Sequence, residues 1–219
     1  ATMGAYPILA ELKYFPEEEL KKYGTPDGLL RIFGNIAIPG IEATTGSLGQ
    51  GLGIGCGFAM AAKHDMSDIN TYVIISEGEM YEGCIWESAM FASHNKLDNL
   101  VVILDRNHKI ILGDTEDMLA LEPINKKWES MGWHVIEADG HSYRSLLEAF
   151  ETSKIKTGKP SIIIAETINF VGEMKIALKA IKDEGMIAIT NFAIPKGDLT
   201  REGLTPEDAC KIMEDLGSD

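Results

Sequence analysis

Short apolar runs, rich in β-branched residues and each ending at polar residues, recur along the chain between residues 71 and 165. Such runs are typical of strands that are buried on both faces of a parallel sheet. They predict four strands, at Thr71–Ile75, Leu100–Leu104, His134–Ala138 and Ser161–Ala165. The flanking sequences predict helices, at Leu48–Lys63, Gly83–Ser93, Pro123–Met131 and Tyr143–Ser153. Strands that alternate with helices imply an α/β fold, a doubly wound parallel sheet flanked by helices.

The first of these helices carries glycines at positions 49, 51, 53, 55 and 57. Each interior glycine costs a helix about 0.5 to 1 kcal/mol relative to alanine. We therefore expect the backbone of this helix to approach a neighbouring element closely.

The length and composition predict one well-buried domain with a tail. The chain has 219 residues, of which 45% are hydrophobic, and this is enough for a single core. The sequence changes character after Asn169, so we expect an α/β domain over residues 1–168. Residues 169–219 are expected to form a C-terminal extension that packs on the domain or on a partner.

The charge narrows the classes of partner. A formal net charge of −14, from 34 acidic and 20 basic residues, disfavours a nucleic acid or a membrane surface, because binding phosphates needs clustered Lys and Arg. To bind an anionic ligand, such a chain would need a local source of positive potential, either backbone amides or a metal ion. No stretch reaches the roughly 20 uninterrupted apolar residues of a membrane span. The odd number of cysteines, three, fits a reducing cytoplasm.

Polar residues with metal-binding chemistry follow the first two predicted strands. Ser76, Glu77 and Gly78 follow the first strand, and Asn107 follows the second. Ligands of open parallel sheets bind beyond the carboxyl ends of the strands. We therefore expect Glu77 and Asn107 to converge if these strands lie near each other. Carboxylate and amide oxygens suit Mg²⁺ or Ca²⁺, with ligand phosphates and water completing the shell.

The glycine-rich turn at Thr45–Gly51 is a second device for binding an anion. At the start of a helix it would expose backbone amides, which can bind phosphate. Taken singly, a glycine-rich helix start is often a matter of packing, and a carboxylate at a strand end is more often a solvated charge. The ordered combination of these features is more specific.

The ordered combination resembles the sequences of transketolases. The similar stretches lie between about Pro7 and Glu166 and are Gly46–Gly51, Glu79–Gly83, Trp86–His94, Lys96–Leu100, Asp105–Asn107, Gly132–His134 and Asp139–His141. The resemblance implies a thiamine-diphosphate-binding fold and identifies the chain as its diphosphate-binding domain, built as the N-terminal subunit of a split transketolase. In that family the cofactor lies between this domain and a pyrimidine-binding domain, usually across a dimer interface.

A reaction and a partner follow from the resemblance. It implies transfer of a two-carbon ketol unit from a ketose or ketose phosphate to an aldose or aldose phosphate, with thiamine diphosphate and Mg²⁺ or Ca²⁺ as cofactors. The family's pyrimidine-binding domain carries the glutamate that activates the cofactor, and no such domain fits within this chain. A pyrimidine-binding partner subunit is therefore implied, together with self-association across the cofactor interface.

The resemblance also assigns roles to residues by position. The metal ligands would be Glu77, Asn107 and the carbonyl oxygen of Lys109. The residues that contact the cofactor would be Gly46, Leu48, Ser76, Gly78, Asn107 and Ile111, the last of which would press on the thiazolium ring. Glu82 corresponds to a glutamate in a carboxylate network between active sites, which implies a catalytic role. The alternative for Glu82 is an ordinary charge at a helix N-terminus, favoured by the helix dipole.

The sequence departs from the family in two respects. Ser76-Glu77-Gly78 stands where the family has Gly-Asp-Gly, and Mg²⁺ tolerates geometric error poorly. Family histidines are also missing, since Gly4 stands at one such position and none occurs at Phe33–Asn35. The alternative to an active enzyme is therefore a degenerate subunit with a structural or regulatory role and weak or no cofactor binding. A nicotinamide-binding domain is disfavoured, because no Gly-x-Gly-x-x-Gly joins an early strand to a helix.

Overall fold

A computed structural model of the chain describes residues 2–155 and 157–167 and the backbone of residues 187–190. The strands within this part of the chain are β1 (Thr71–Ser76), β2 (Leu100–Arg106), β3 (Lys109–Ile110), β4 (Gly113–Asp114), β5 (His134–Asp139), β6 (Ser161–Glu166) and β7 (Ile187–Thr190). The helices are α1 (Thr2–Glu11), α2 (Gln50–His64), α3 (Gly83–His94), α4 (Thr115–Met118), α5 (Ile124–Ser130) and α6 (Tyr143–Ser153), with 3₁₀ helices at Glu17–Lys22 and Glu77–Tyr81.

Five strands form one parallel sheet in the order β5-β6-β2-β1-β7. This arrangement confirms the predicted α/β fold, and each of the four predicted strands forms with one or two further residues at its carboxyl end. β1 and β2 are direct neighbours, and Ser76 lies opposite Asp105 in their register. The carboxyl ends of the two strands therefore lie side by side, as the convergence of Glu77 and Asn107 requires.

Helices cover both faces of the sheet, because alternate residues of each strand enter different hydrophobic clusters. Val73 and Ile75 pack on one face with residues of α2, α3 and α5. Tyr72 and Ile74 pack on the other face with residues of α1 and α6. Burial of both faces explains why the strands are continuous apolar runs rather than alternating ones.

The expected close approach of the α2 backbone is confirmed at one glycine and wrong at another. A Cβ added at Gly55 would lie 2.4 Å from Cγ2 of Val73 in β1, so α2 sits against the sheet at this point. A Cβ added at Gly57 would meet no atom within 4 Å. Packing within this chain therefore requires glycine at 55 but not at 57.

The predicted C-terminal extension contributes β7, which pairs with Thr71–Ile74 of β1 and forms an edge of the sheet. The remaining residues of 169–219 lie outside the described part of the chain, so the boundary at residue 168 stays a prediction. No helix among the described residues has the length and apolar character needed to cross a membrane.

Candidate functional site

Three segments meet at the carboxyl edge of the sheet. They are the turn after β1, the turn after β2 and the glycine-rich turn before α2. Hydrogen bonds join them, from the amide of Asn107 to Glu77 (2.9 Å) and from the amide of Gly49 to Glu79 (3.0 Å). Sequence positions about 30 residues apart are thus brought into one site.

Glu77 is the first residue after β1 and is almost completely buried. Its Oε2 accepts the hydrogen bond from the Asn107 amide (2.9 Å), and its Oε1 forms an ion pair with the guanidinium of Arg106. Both oxygens therefore already have a partner within the chain. Each carboxylate oxygen has a second lone pair, so a metal ligand role stays chemically open.

Arg106, the last residue of β2, is buried and lies at the centre of a polar network. It donates to Oγ1 of Thr115 (3.2 Å) and Oε1 of Glu122 (2.7 Å), and Glu116 lies 3.7 Å away. Burial opposes ionisation of Glu122, but the amide of Ile124 and the guanidinium of Arg106 lower its pKa. Sequence reasoning missed Arg106, because an arginine after a strand carries no local sign that it will be buried.

The turn after β2 is held by the side chain of Asn107. Its Oδ1 accepts from the amide of Lys109 (2.9 Å), and the Lys109 ammonium contacts Asp114 across the β3–β4 hairpin (2.5 Å). Ile111 at the tip of this hairpin is 64% exposed, and its neighbour Leu112 is 78% exposed. The hairpin therefore presents apolar side chains outward, as a surface that contacts a ligand or partner would.

The glycine-rich turn is less open than the sequence predicts. α2 begins at Gln50, after Gly49 in the left-handed region with φ 81°. The Gly49 amide donates to Glu79, and the Gln50 amide donates to the carbonyl of Ser47 (3.3 Å). The expectation of exposed amides is therefore wrong at these two positions, because the turn uses them to fix its own conformation. Gly46 also has positive φ (131°).

Glu79 is a fully buried carboxylate that sequence reasoning passed over. Its Oε2 accepts from the amide of Ser76 (3.2 Å) and its Oε1 from the amide of Gly49 (3.0 Å). Together with Ser76 it forms a capping box at the start of the 3₁₀ helix. Ser-x-x-Glu is the spacing of that motif, so the sequence did contain a signal for this residue.

Gly78 and Glu82 occupy more open positions. A Cβ at Gly78 would make ordinary contacts with Ile110 (3.7 Å) and Ser76 (3.8 Å), so packing within the chain does not demand glycine here. Glu82 is exposed and precedes α3, but its side chain makes no capping hydrogen bond. The alternative role for Glu82, as an N-terminal charge, is thus limited to a long-range interaction with the helix dipole.

Two further polar pairs lie where β2 and the turn after it meet the end of β6. Asp105 is buried and accepts a hydrogen bond from the Thr167 hydroxyl (2.6 Å). Burial raises the pKa of Asp105, and the Thr167 hydroxyl opposes that effect. His108 lies 3.0 Å from Glu166 in an exposed pair, and His141, which follows β5, lies near enough to Asp105 to lower its pKa slightly.

A divalent ion and a diphosphate fit this arrangement. No group of three or more His, Cys, Asp and Glu side chains among the described residues is placed to hold a metal, but the predicted ligands include only one carboxylate. Glu77, Asn107 and the Lys109 carbonyl lie on adjoining turns, and diphosphate oxygens commonly complete such a shell. Gly78 adjoins this set.

α/β domains build sites for phosphorylated ligands beyond the carboxyl ends of their strands. This chain has three of the usual elements there: a buried carboxylate after one parallel strand, an amide oxygen after the next and a glycine-rich turn. The sequence matches the family model of the transketolase thiamine diphosphate binding domain over residues 9–184. The chain belongs to this family, so the resemblance to transketolases is confirmed.

Curated relatives and solved structures agree with this assignment. The chain is 39% identical over 162 residues to an apulose-4-phosphate transketolase subunit of Phocaeicola vulgatus, covering 74% of this chain and 58% of that protein. It is 41% identical over 168 residues to 6-deoxy-6-sulfo-D-fructose transketolase subunit SqwG of a Clostridium species, covering 76% and 61%. The transketolase structure from Campylobacter jejuni superposes with a TM-score of 0.66 at 29% identity, covering 91% of this chain and 34% of that one.

The chain therefore spans less than two thirds of these two curated subunits, 58% and 61%. It spans about a third of the Campylobacter jejuni transketolase, 34%. The fold is confirmed as that of the diphosphate-binding part of transketolases.

Proposed function

We propose that this chain is the diphosphate-binding subunit of a thiamine-diphosphate-dependent transketolase, a transferase that moves a two-carbon ketol unit from a ketose or ketose phosphate to an aldose or aldose phosphate. The convergence of Glu77, Asn107 and the glycine-rich turn at one edge of the sheet carries the proposal. A carboxylate and an amide oxygen that can hold a metal ion are what an acidic chain needs to bind a diphosphate, and the glycine-rich turn lies beside them.

Different residues of the site contact different parts of the cofactor. Glu77, Asn107 and the Lys109 carbonyl hold Mg²⁺, or Ca²⁺, against the diphosphate, while Ser76, Gly78 and Gly46 form the walls beside it. Leu48 and the exposed Ile111 offer apolar contact to the thiazolium ring. Bound thiamine diphosphate supplies a nucleophilic carbon and an electron sink for cleaving the bond next to a ketose carbonyl.

A second polypeptide completes the active site. The names of two relatives of the chain describe them as transketolase subunits, and we propose that a pyrimidine-binding subunit pairs with this chain. Large apolar side chains are exposed on α2 and α3, namely Ile54, Met60, Met90 and Phe91. Since large apolar side chains that are exposed often lie at interaction sites, we propose that self-association covers part of these two helices and gives a heterotetramer in which Glu82 lies at an interface near the cofactor.

The substrates and compartment are proposed by class. The relatives are named for apulose-4-phosphate and for 6-deoxy-6-sulfo-D-fructose, so a ketose or ketose phosphate is the proposed donor and an aldose or aldose phosphate the acceptor. The cytoplasm is the proposed compartment, because the thiol of Cys56 is free and buried.

The test is calorimetric titration of thiamine diphosphate with Mg²⁺ into the chain co-purified with its pyrimidine-binding partner. Micromolar, metal-dependent binding is expected. Asn107→Ala should weaken it at least tenfold, because the variant removes a metal ligand without leaving a buried charge. Glu77→Ala should do the same, although it also removes the fully buried ion-pair partner of Arg106, which keeps the more exposed Glu122 and Glu116.

A matched control is Asn99→Ala. Asn99 is buried and donates to the carbonyls of Ala59 (2.9 Å) and Ile69 (3.3 Å) at the opposite edge of the sheet, so its loss should lower stability and leave affinity unchanged. A folded complex that binds no cofactor would exclude the enzyme and leave the degenerate subunit with a structural or regulatory role.

A further inference from the structure

Glu79 joins two parts of the site that are separate in sequence. Its side chain is fully buried, and its two oxygens accept hydrogen bonds from two different backbone amides, Gly49 at 3.0 Å and Ser76 at 3.2 Å. Gly49 ends the glycine-rich turn and Ser76 ends β1. One carboxylate thus connects the two segments that flank the proposed diphosphate site.

The glycine-rich turn is closely packed against its neighbours. A Cβ at Gly49 would lie 2.5 Å from Sγ of Cys84 and 2.7 Å from Cβ of Glu82, both at the start of α3. The turn is therefore pressed against α3 on one side and tied to Glu79 on another. A change at Glu79 will be transmitted to the position of the turn.

A carboxylate suits this position better than any other side chain of its size. Both partners are N–H donors, so two acceptor oxygens are needed, and charge-assisted hydrogen bonds are stronger than neutral ones. Glutamine has the same shape but only one acceptor oxygen, and its NH₂ group would face an N–H donor. The substitution Glu79→Gln therefore breaks one of the two links without changing volume.

We infer that Glu79 is a positioning residue that holds the glycine-rich turn against the end of β1 and so sets the width of the cofactor's diphosphate site. This inference rests on the proposed function and deepens it. Glu79 need not touch the cofactor, because it acts through the backbone of Gly49 and Ser76.

The test separates positioning from charge. Removing a negative charge near a diphosphate site would, by electrostatics alone, tighten the binding of the anion. Positioning has the opposite consequence, because a displaced turn fits the diphosphate less well. Glu79→Gln should weaken binding of thiamine diphosphate with Mg²⁺ by about tenfold or more, the size expected for loss of a charged hydrogen bond.

The experiment compares this affinity by calorimetry in the complex with the partner subunit. Glu79→Asp keeps the charge and shortens the side chain, so it should also weaken binding, and it carries the test if Glu79→Gln fails to fold. Asn99→Ala is the control, since it loses an equally buried link at the far edge of the sheet. Unchanged or tighter binding in a folded Glu79 variant would overturn the inference.

Hydrogen–deuterium exchange provides a readout that does not depend on cofactor binding. The Gly49 amide should exchange at least tenfold faster in Glu79→Gln than in the unmodified complex, with amides near Asn99 unchanged. If the unmodified complex binds no cofactor, the proposed function fails, and exchange at Gly49 still decides whether Glu79 holds the turn. Equal exchange at Gly49 in both proteins would overturn the link itself.

Discussion

The buried ion pair between Arg106 and Glu77 gives a sharp prediction of stability. The side chain of Arg106 is 1% exposed and that of Glu77 is 0% exposed. Arg106→Leu leaves the Glu77 carboxylate without its cation in a site that water does not reach. Removing one partner of such a pair typically costs about 3 to 5 kcal/mol.

The other contacts of Arg106 contribute less to the loss of unfolding free energy in Arg106→Leu. Its partner Glu122 is 49% exposed, so that ion pair is screened by solvent and the freed carboxylate can hydrate. For a domain of this size each kcal/mol corresponds to about 2 to 4 °C in the unfolding midpoint. The chain should therefore unfold at a temperature lower by roughly 6 to 20 °C in Arg106→Leu.

Urea unfolding followed by circular dichroism measures the change in free energy directly. Arg144→Leu is the control, because Arg144 and Glu148 form an exposed pair at 3.7 Å, worth at most about 0.5 kcal/mol. The double variant Arg106→Leu/Glu77→Leu removes both charges and should recover most of the loss, since neither charge of the pair is left buried without its partner. A single variant that loses less than about 1 kcal/mol, or a double variant no better than the single, would refute this reasoning.

Two further predictions concern packing. Gly55→Ala should destabilise the chain by about 1 to 3 kcal/mol through overpacking, because the added carbon would lie 2.4 Å from Val73. Gly57→Ala should instead stabilise it by about 0.5 to 1 kcal/mol, since no atom lies within 4 Å of the added carbon. Denaturant unfolding of the chain alone distinguishes the two variants. Burial raises the pKa of the Cys56 thiol to about 11, so about one molecule in a thousand carries its thiolate at pH 8. With Ellman's reagent and peptide mapping, half-buried Cys84 should therefore react before Cys56, and Cys56 should react only on unfolding. Equal rates for these two thiols would contradict the burial of Cys56.

The strands and several helices were predictable from the sequence, because their signals are local. The helix at Tyr143–Ser153 has the predicted bounds, and its N-cap Ser142 accepts from the amide of Ser145. α2 begins two residues later than predicted, because Gly49 takes a left-handed conformation and donates to Glu79. Helix propensity depends on neighbouring residues, so it does not predict a hydrogen bond to Glu79, which is 30 residues away in the sequence.

For the candidate site, the sequence predicted that Glu77 and Asn107 converge, but it did not predict most of their hydrogen-bond and ion-pair partners. The positions of Glu77 and Asn107 followed from the rule that ligands bind beyond the carboxyl ends of strands. The partner of Glu77, Arg106, did not follow, although it lies next to Asn107 in the sequence. Its role depends on β1 and β2 being neighbours in a particular register.

By itself, the sequence of this protein determined the alternation of buried strands and helices, the family and the polar residues that follow the strands. Apolar runs and motif spacing encode these properties over short stretches of chain. Only the tertiary structure decided which amides are already bonded, that Arg106 and Glu79 are buried, and that β7 pairs with β1. The physical reason is that a polar group is buried only where a partner from another segment satisfies it, and that partner is set by the order and register of the strands.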